Sequence, residues 1–357
     1  MSRILIAPDS FKGSATSVEV ARAIAQGWKS VRPEDELVQI PFADGGEGSL
    51  MAIESARSDA ARIYCPDVSP DAYWLLLDGS IAIVELAQVS GLTLLSHLDP
   101  MGAHTFAFGQ VLANAARDPR VRCIYCALGG SASTDAGVGA LMALGIQFFN
   151  VDGESIDLGG SELSKIASIS TTNAISSPPE GVTLLVDVDS PLLGANGAAA
   201  IYSPQKGATP EQIVELENGL QRFVDMTGYQ DAPGLGAAGG TSFGLCALWG
   251  AIIKSGAEMI AELCGLQAAL EQTDLVITGE GRLDQQSFHG KVVGYMSQRA
   301  KAANVPIAYC VGSIEGDFPP FAVGGVSLTQ IAGSSTEAME NPERYLIEAG
   351  VKLVDFL

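Results

Sequence analysis

Residues 278 to 291 read TGEGRLDQQSFHGK and follow the apolar run Asp274-Leu275-Val276-Ile277, so Glu280, Asp284 and Lys291 fall among glycines just past a strand-like stretch. The stretches IAPDSFKGS, FADGGEGS, ALGGSASTDAGVG and LLVDVDSPLLGANGA repeat the pattern: an apolar run meets glycines, small hydroxyls and carboxylates. The acids so placed are Asp9, Asp44, Glu47, Asp135, Asp187, Asp189, Glu280 and Asp284, and the chain adds the cations Lys12, Lys206 and Lys291. Carboxylates can hold a divalent cation, lysines can meet anions, and glycines let backbone N–H groups approach a ligand. Those are the parts of phosphoryl transfer, which depends on positioning and charge more than on covalent work by the protein.

Other chemistries lack their parts. No GxxxxGK[ST] phosphate loop is present, so any such transfer uses a different arrangement. GLGAAGG, residues 234 to 240, has GxGxxG spacing but follows the loop YQDAPG rather than an apolar strand, which argues against a dinucleotide site. As a glycine-rich helix start, its Gly239 and Gly240 would either offer N–H groups to a phosphate or serve as a plain cap. His97, His104 and His289 are the only histidines, without HExxH spacing, and no GxSxG elbow appears. His289, beside Gly290 and Lys291, either touches substrate or helps to start a helix. Cys123 and Cys126 share a strand-like run, where residues three apart face opposite sides, and nothing completes a zinc site.

These loops need a scaffold to converge. The first sixty residues read β-α-β-α: RILIAPDS, a helix through SVEVARAIAQGWKSV, ELVQIPFADGG, and a helix from about Glu47. The last ninety continue with strands in DLVITGEG, PIAYCVGS and VSLTQIAG, a helix through KVVGYMSQRAKAA and a terminal helix. Between them, Asp78-Gly79 flanked by apolar runs predicts an antiparallel hairpin. The simplest division is an α/β domain of residues 1–64 plus 271–357, interrupted by a second α/β domain at 65–270. In open α/β sheets ligands collect at the carboxyl ends of strands, where the five loops are expected to form one cleft.

The chain has 357 residues, 47% hydrophobic and 17% charged, with a net charge of −21. Its length suits two domains, and its charge opposes binding to nucleic acid or to anionic membrane surfaces. The apolar run at the start is too short for a signal segment or a membrane span, so a cytoplasmic location is expected.

In order, APDSFKGS, ADGGEGS, GGSASTDAG, SPQKGA, GAAGG and GEGRLDQQSFHGK resemble the glycerate kinase type-1 family across nearly the whole chain. The resemblance implies ATP-dependent phosphorylation of D-glycerate, typically at the 2-hydroxyl, with Mg²⁺. It also implies a flavodoxin-like domain interrupted by an inserted α/β domain resembling the restriction-endonuclease fold, with the site in the cleft between them. Positions matching the family motifs are Asp9, Ser10, Lys12, Asp44, Glu47, Ser131, Asp135, Asp187, Gln205, Lys206, Glu280, Asp284 and Lys291. Within that set Asp187, Lys291, Asp284 and Lys12 are expected to be catalytic, and Asp187, Glu280 and Asp284 to hold Mg²⁺. The remainder, with Gly45, Gly46, Gly129, Gly130, Gly239, Gly240 and His289, are expected to contact glycerate or ATP. A homodimer is compatible with this reading.

The chain departs from the family pattern at Ser133-Thr134-Asp135-Ala136-Gly137, at Asp187-Val188-Asp189-Ser190-Pro191, after Asp99-Pro100 and after Lys291. Lost hydrogen-bonding groups there bear on the acceptor, which leaves a kinase for a related hydroxy acid or a silent hydroxy-acid sensor as alternatives.

Overall fold

A computed structural model describes residues 1–288 and 292–357. His289, Gly290 and Lys291 lie outside the described residues. By its contacts the chain divides into two compact units: Met1–Asp44, Met51–Ser58 and Ala257–Leu357 form one, and Gly45–Leu50 with Asp59–Gly256 form the other.

The first unit is built on a parallel five-stranded sheet. Its strands lie in the order Glu36–Gln39, Arg3–Ile6, Leu275–Thr278, Ile307–Val311, Gly324–Ser327. The inner strands RILI, LVIT and IAYCV are almost wholly apolar and buried, as parallel strands must be when helices cover both faces. The helix Ser17–Val31 begins with a capping box, in which the Thr16 hydroxyl accepts from Glu19 N–H while the Glu19 carboxylate accepts from Thr16 N–H. It crosses Pro342–Leu353 at a pair of glycines. A Cβ on Gly27 would strike the Ile347 carbonyl and one on Gly350 the Ile24 carbonyl, so the approach needs both. Ile4, Ile6, Leu275 and Ile277 of the sheet pack there against Ile24, Trp28, Leu346 and Leu353.

The stretch VSLTQIAG is only half strand. Pairing ends with Val311 opposite Ser327; the Thr329 N–H then donates to the Gly312 carbonyl, and Leu328–Ala332 is helical.

The second unit has a six-stranded mixed sheet. Ile252–Lys254, Val182–Leu185, Cys123–Ala127 and Ile81–Glu85 run parallel, and Tyr73–Leu77 and Ala61–Tyr64 add antiparallel strands at one edge. Leu77 pairs with Ile81 across the three residues 78–80; the Ser80 N–H donates to the Leu77 carbonyl, and Asp78 and Gly79 at the centre of that turn take the positive φ values of 48° and 69° that such a tight turn favours. Ala61–Tyr64 belongs to this sheet, while Arg57 of the first unit donates to the Leu263 carbonyl of the same unit. Cys126 is buried in its strand and Cys123 is partly exposed; both are free thiols. Among the described residues no helix is long and apolar enough to cross a membrane.

Candidate active site

In the first unit Arg3–Ile6 and Leu275–Thr278 are neighbours, with Ile6 opposite Ile277, so their following loops emerge together. The pairing runs on past the strands: Ala7 N–H donates to the Ile277 carbonyl and Asp9 N–H to the Gly279 carbonyl, each at 2.8 Å. Gly279 permits this path, because a Cβ there would collide with the Cys310 carbonyl. The loops enclose a cavity of about 420 Å³ whose lining includes Asp9, Ser10, Lys12, Asp44, Glu280 and Asp284.

Negative charge is crowded in this cavity. Burial, and next the neighbouring Asp44 carboxylate, push the Asp9 carboxyl up to about 7, and Glu280 adds to the rise. The Ser10 N–H, 2.6 Å from Asp9 Oδ1, and Lys12 oppose it. Glu280 is buried. Asp284 lines the cavity and also accepts from Ser287 N–H at 3.2 Å, capping the short turn Gln285–Phe288.

A second set of candidates stands at strand ends of the second unit. Asp187 follows Val182–Leu185, and its Oδ1 accepts from Ser255 Oγ at 2.8 Å and Gly256 N–H at 2.9 Å. The Gly45–Leu50 segment is bound to this unit by Glu85, a buried residue at the end of Ile81–Glu85. Glu85 Oε1 accepts from Gly48 N–H and its Oε2 from Leu50 N–H, both at 2.9 Å, and burial pushes its carboxyl up. Gly129 N–H donates to the Gly45 carbonyl, and a Cβ on Gly129 would come 2.6 Å from Gly46 Cα. Glu47 accepts from Thr93 Oγ1 at 3.3 Å. Gly45, Gly46 and Glu47 are thereby gathered with Gly129 and Gly130.

Asp135 and Lys206 are buried in the same unit. Asp135 Oδ2 accepts from Thr105 N–H and Thr105 Oγ1, both at 2.8 Å, and from Gly139 N–H at 3.2 Å; its Oδ1 accepts from Gly137 N–H at 3.1 Å. Lys206 donates to Ser131 Oγ at 3.3 Å and, by a short bond, to the Ser133 carbonyl. Gln205, beside it, is exposed. Gly239 and Gly240 have φ of 66° and 84° and press on neighbouring chain: a Cβ on Gly239 would strike the Ser133 carbonyl, and one on Gly240 would come 2.5 Å from Leu192 Cδ1. Their glycine identity is accounted for by packing. Lys291 and His289, named from sequence, fall outside the described residues.

Glu85 was not singled out from sequence. Its signal was a carboxylate closing the apolar run SIAIVELA, the same position Asp9 and Asp187 occupy in their own runs.

Among the described residues no group of three or more histidines, cysteines or acids forms a ready ligand set for a metal. Mg²⁺ does not require one, since it commonly binds through one or two carboxylates and completes its shell with water and substrate phosphates. Burial and then the Asp44 carboxylate lift Asp9 in a cavity that sets the four acids Asp9, Asp44, Glu280 and Asp284 beside Lys12 and Arg282. The donor chemistry of Glu280 and Asp284 there fits the ion.

The profile of the Glycerate kinase family matches residues 4–357. The chain is 36% identical to the Glycerate kinase of Halalkalibacterium halodurans, over 98% of this chain and 96% of that one. It is also 36% identical to the Glycerate 2-kinase of Escherichia coli K12, over 88% and 87% of the two chains. A crystal structure assigned as glycerate kinase 2 from Salmonella typhimurium LT2 superposes with a TM-score of 0.78 at 32% identity, covering 99% of this chain and 98% of that one. With the acid-and-glycine loops at the strand ends and this match along its whole length, the chain belongs to the glycerate kinase family.

Proposed function

We propose that the chain transfers the γ-phosphoryl group of ATP to the 2-hydroxyl of D-glycerate, giving 2-phosphoglycerate and ADP, with Mg²⁺ as cofactor. The observation that carries this reading is the cavity that gathers Asp9, Asp44, Glu280 and Asp284 with Lys12 at the ends of parallel strands, in a chain of this family. The choice of the 2-hydroxyl is supported by the relative named Glycerate 2-kinase. Strand order in the first unit's five-stranded sheet supports a flavodoxin-like description: counted within that sheet it is 2-1-3-4-5. The second unit is then an insertion into the first.

In the transfer the acceptor oxygen bonds to the γ-phosphorus as the bond to the ADP oxygen breaks, and the hydroxyl proton leaves to a carboxylate. Asp187 is our candidate for that base: it follows a strand end, and Ser255 and Gly256 fix the orientation of its carboxylate. Lys12 and Lys291 offer positive charge to the phosphates. Glu280 and Asp284 would hold Mg²⁺, with Asp187 as a further ligand if it is not the base. When bound, the ion neutralises and orients phosphate oxygens.

The test is incubation with ATP, Mg²⁺ and D-glycerate, with ADP followed by a coupled assay and the product by ³¹P NMR. A 2-phosphate couples to a single carbon-bound proton and a 3-phosphate to two, so the splitting gives the position. ADP formation no faster than in a glycerate-free control would refute the function; a triplet would refute the position.

A further inference from the structure

A buried ammonium group needs a counter-charge or gives up its proton. Lys206 is 2% exposed, at the end of the turn Pro204–Lys206. Both atoms that accept from it, Ser131 Oγ and the Ser133 carbonyl, are uncharged. The carboxylate that acts on it is Asp135, and the oxygens of Asp135 already take four donors from Thr105, Gly137 and Gly139. The helices Ala198–Tyr202 and Ala237–Trp249 bring no charged residue, the Tyr202 hydroxyl donates to Ser190 Oγ, and although Leu98, between His97 and Asp99 in sequence, packs on Gly207, Asp135 is the charge that acts on Lys206. Burial therefore prevails and lowers Lys206 to about 7, so near neutral pH it stands between ammonium and amine.

Ser131 gives this lysine an outlet. Its hydroxyl accepts from Lys206, and the acceptors within reach of its own hydrogen are all long: the Ser133 carbonyl at 3.2 Å, already taken by Lys206, the Ala238 carbonyl at 3.3 Å and Ser133 Oγ at 3.5 Å. Gly130, at φ 83°, is exposed beside it. Among the described residues no protein oxygen accepts from the N–H groups of Gly130 and Ser131. A hydroxyl backed by a buried lysine, beside two backbone N–H groups that donate to no described oxygen, is a set of donors suited to an oxyanion.

We propose that Ser131 and the N–H groups of Gly130 and Ser131 form a subsite for a substrate oxyanion, a carboxylate or a phosphate group, and that Lys206 is the positioning residue that supplies charge to it through the Ser131 hydroxyl. The proposal rests on the kinase reading only for which oxyanion enters. An oxyanion here favours the ammonium form, so binding at pH 7.5 takes up a proton.

Calorimetry in two buffers of different ionisation enthalpy tests this, with D-glycerate, inorganic phosphate and a non-hydrolysable ATP analogue with Mg²⁺ titrated separately. Wild type is compared with Lys206→Met, which keeps the volume without the charge, and with Ser131→Ala. At least one ligand should bind both variants roughly ten- to hundredfold more weakly, the range for a lost hydrogen bond to a charged group. Its binding to wild type should take up a proton that Lys206→Met does not. Loss for glycerate alone assigns the carboxylate; loss for phosphate or the analogue assigns a phosphate group. Unchanged affinity for all three ligands, proton uptake that persists in Lys206→Met, or a wild type that binds none of them overturns the proposal. Should thermal melting show Lys206→Met unfolded, the affinities of Ser131→Ala decide alone. A wild type that forms no ADP with glycerate but meets the phosphate criteria sinks the kinase reading and leaves the subsite standing.

Discussion

Asp135→Asn isolates what the buried carboxylate does. Oδ2 accepts from Thr105 N–H, Thr105 Oγ1 and Gly139 N–H, whereas Oδ1 accepts from Gly137 N–H. The Thr105 hydroxyl in turn accepts from Ala140 N–H, so the cluster joins the starts of the helices Phe106–Arg117 and Val138–Ala143. An asparagine that keeps its oxygen at the Oδ2 position retains three of these bonds in neutral form, each weaker by about 1 kcal/mol. Its amide then faces Gly137 N–H, and a buried donor without an acceptor costs about 1–3 kcal/mol. The sum is about 4–6 kcal/mol, and relief from burying a charge offsets part, so a net loss of about 3–5 kcal/mol is expected. That is a large share of the roughly 5–15 kcal/mol that holds a domain folded. Urea unfolding reads the loss as a lower midpoint at unchanged slope. A shift under about 1 kcal/mol would refute the clamp.

Three further outcomes are expected. Asp187→Asn should lower turnover about 10²- to 10⁴-fold, the usual worth of a proton-accepting group, with only a small fall in melting temperature because Ser255 and Gly256 keep an oxygen acceptor; undiminished turnover in steady-state kinetics removes Asp187 from the mechanism. Asp35 accepts from Arg32, Ser2 N–H and Trp28 Nε1, which holds its carboxyl well below the ordinary range of about 3.9, so its contribution to stability is present above that value and is lost as pH falls towards the folded one; Asp35→Asn should flatten the melting-temperature profile below about pH 5, and an unchanged acid limb contradicts this. Gly279→Ala drives a Cβ into the Cys310 carbonyl and should destabilise the first unit by more than about 3 kcal/mol, so wild-type stability in the same urea titration would show that the strand ends have room.

What could be read from sequence was mostly local. The β-α-β-α opening and the Asp78-Gly79 hairpin appear because periodicity and turn chemistry act over a few residues. The acids of the first cavity share one recognisable setting, an apolar strand running into glycines. Asp135 has the same setting, yet its carboxylate is occupied by donors as far away as Thr105, thirty residues upstream. Glu85 is tied to Gly48 and Leu50 across 37 and 35 residues, a separation no local pattern reveals. At Gly239 and Gly240 the sequence leaves two readings open, because glycine serves close packing and ligand approach by the same lack of a side chain.

The assignment of Gly45–Leu50 to the second unit bears on how this architecture can be inherited. An inserted domain is usually pictured as a cassette that enters a host gene at one point and can leave the same way. Here the Glu85 carboxylate and Gly129 N–H, within residues 59–256, bind the segment Gly45–Leu50, which is separated from them in sequence by residues of the first unit. Transplanting 59–256 alone would leave a buried acid without donors, and deleting it would leave a glycine loop with nothing to bind. Recombination that respects the fold must carry both pieces, so the two units are expected to have diversified as one gene rather than as exchangeable modules.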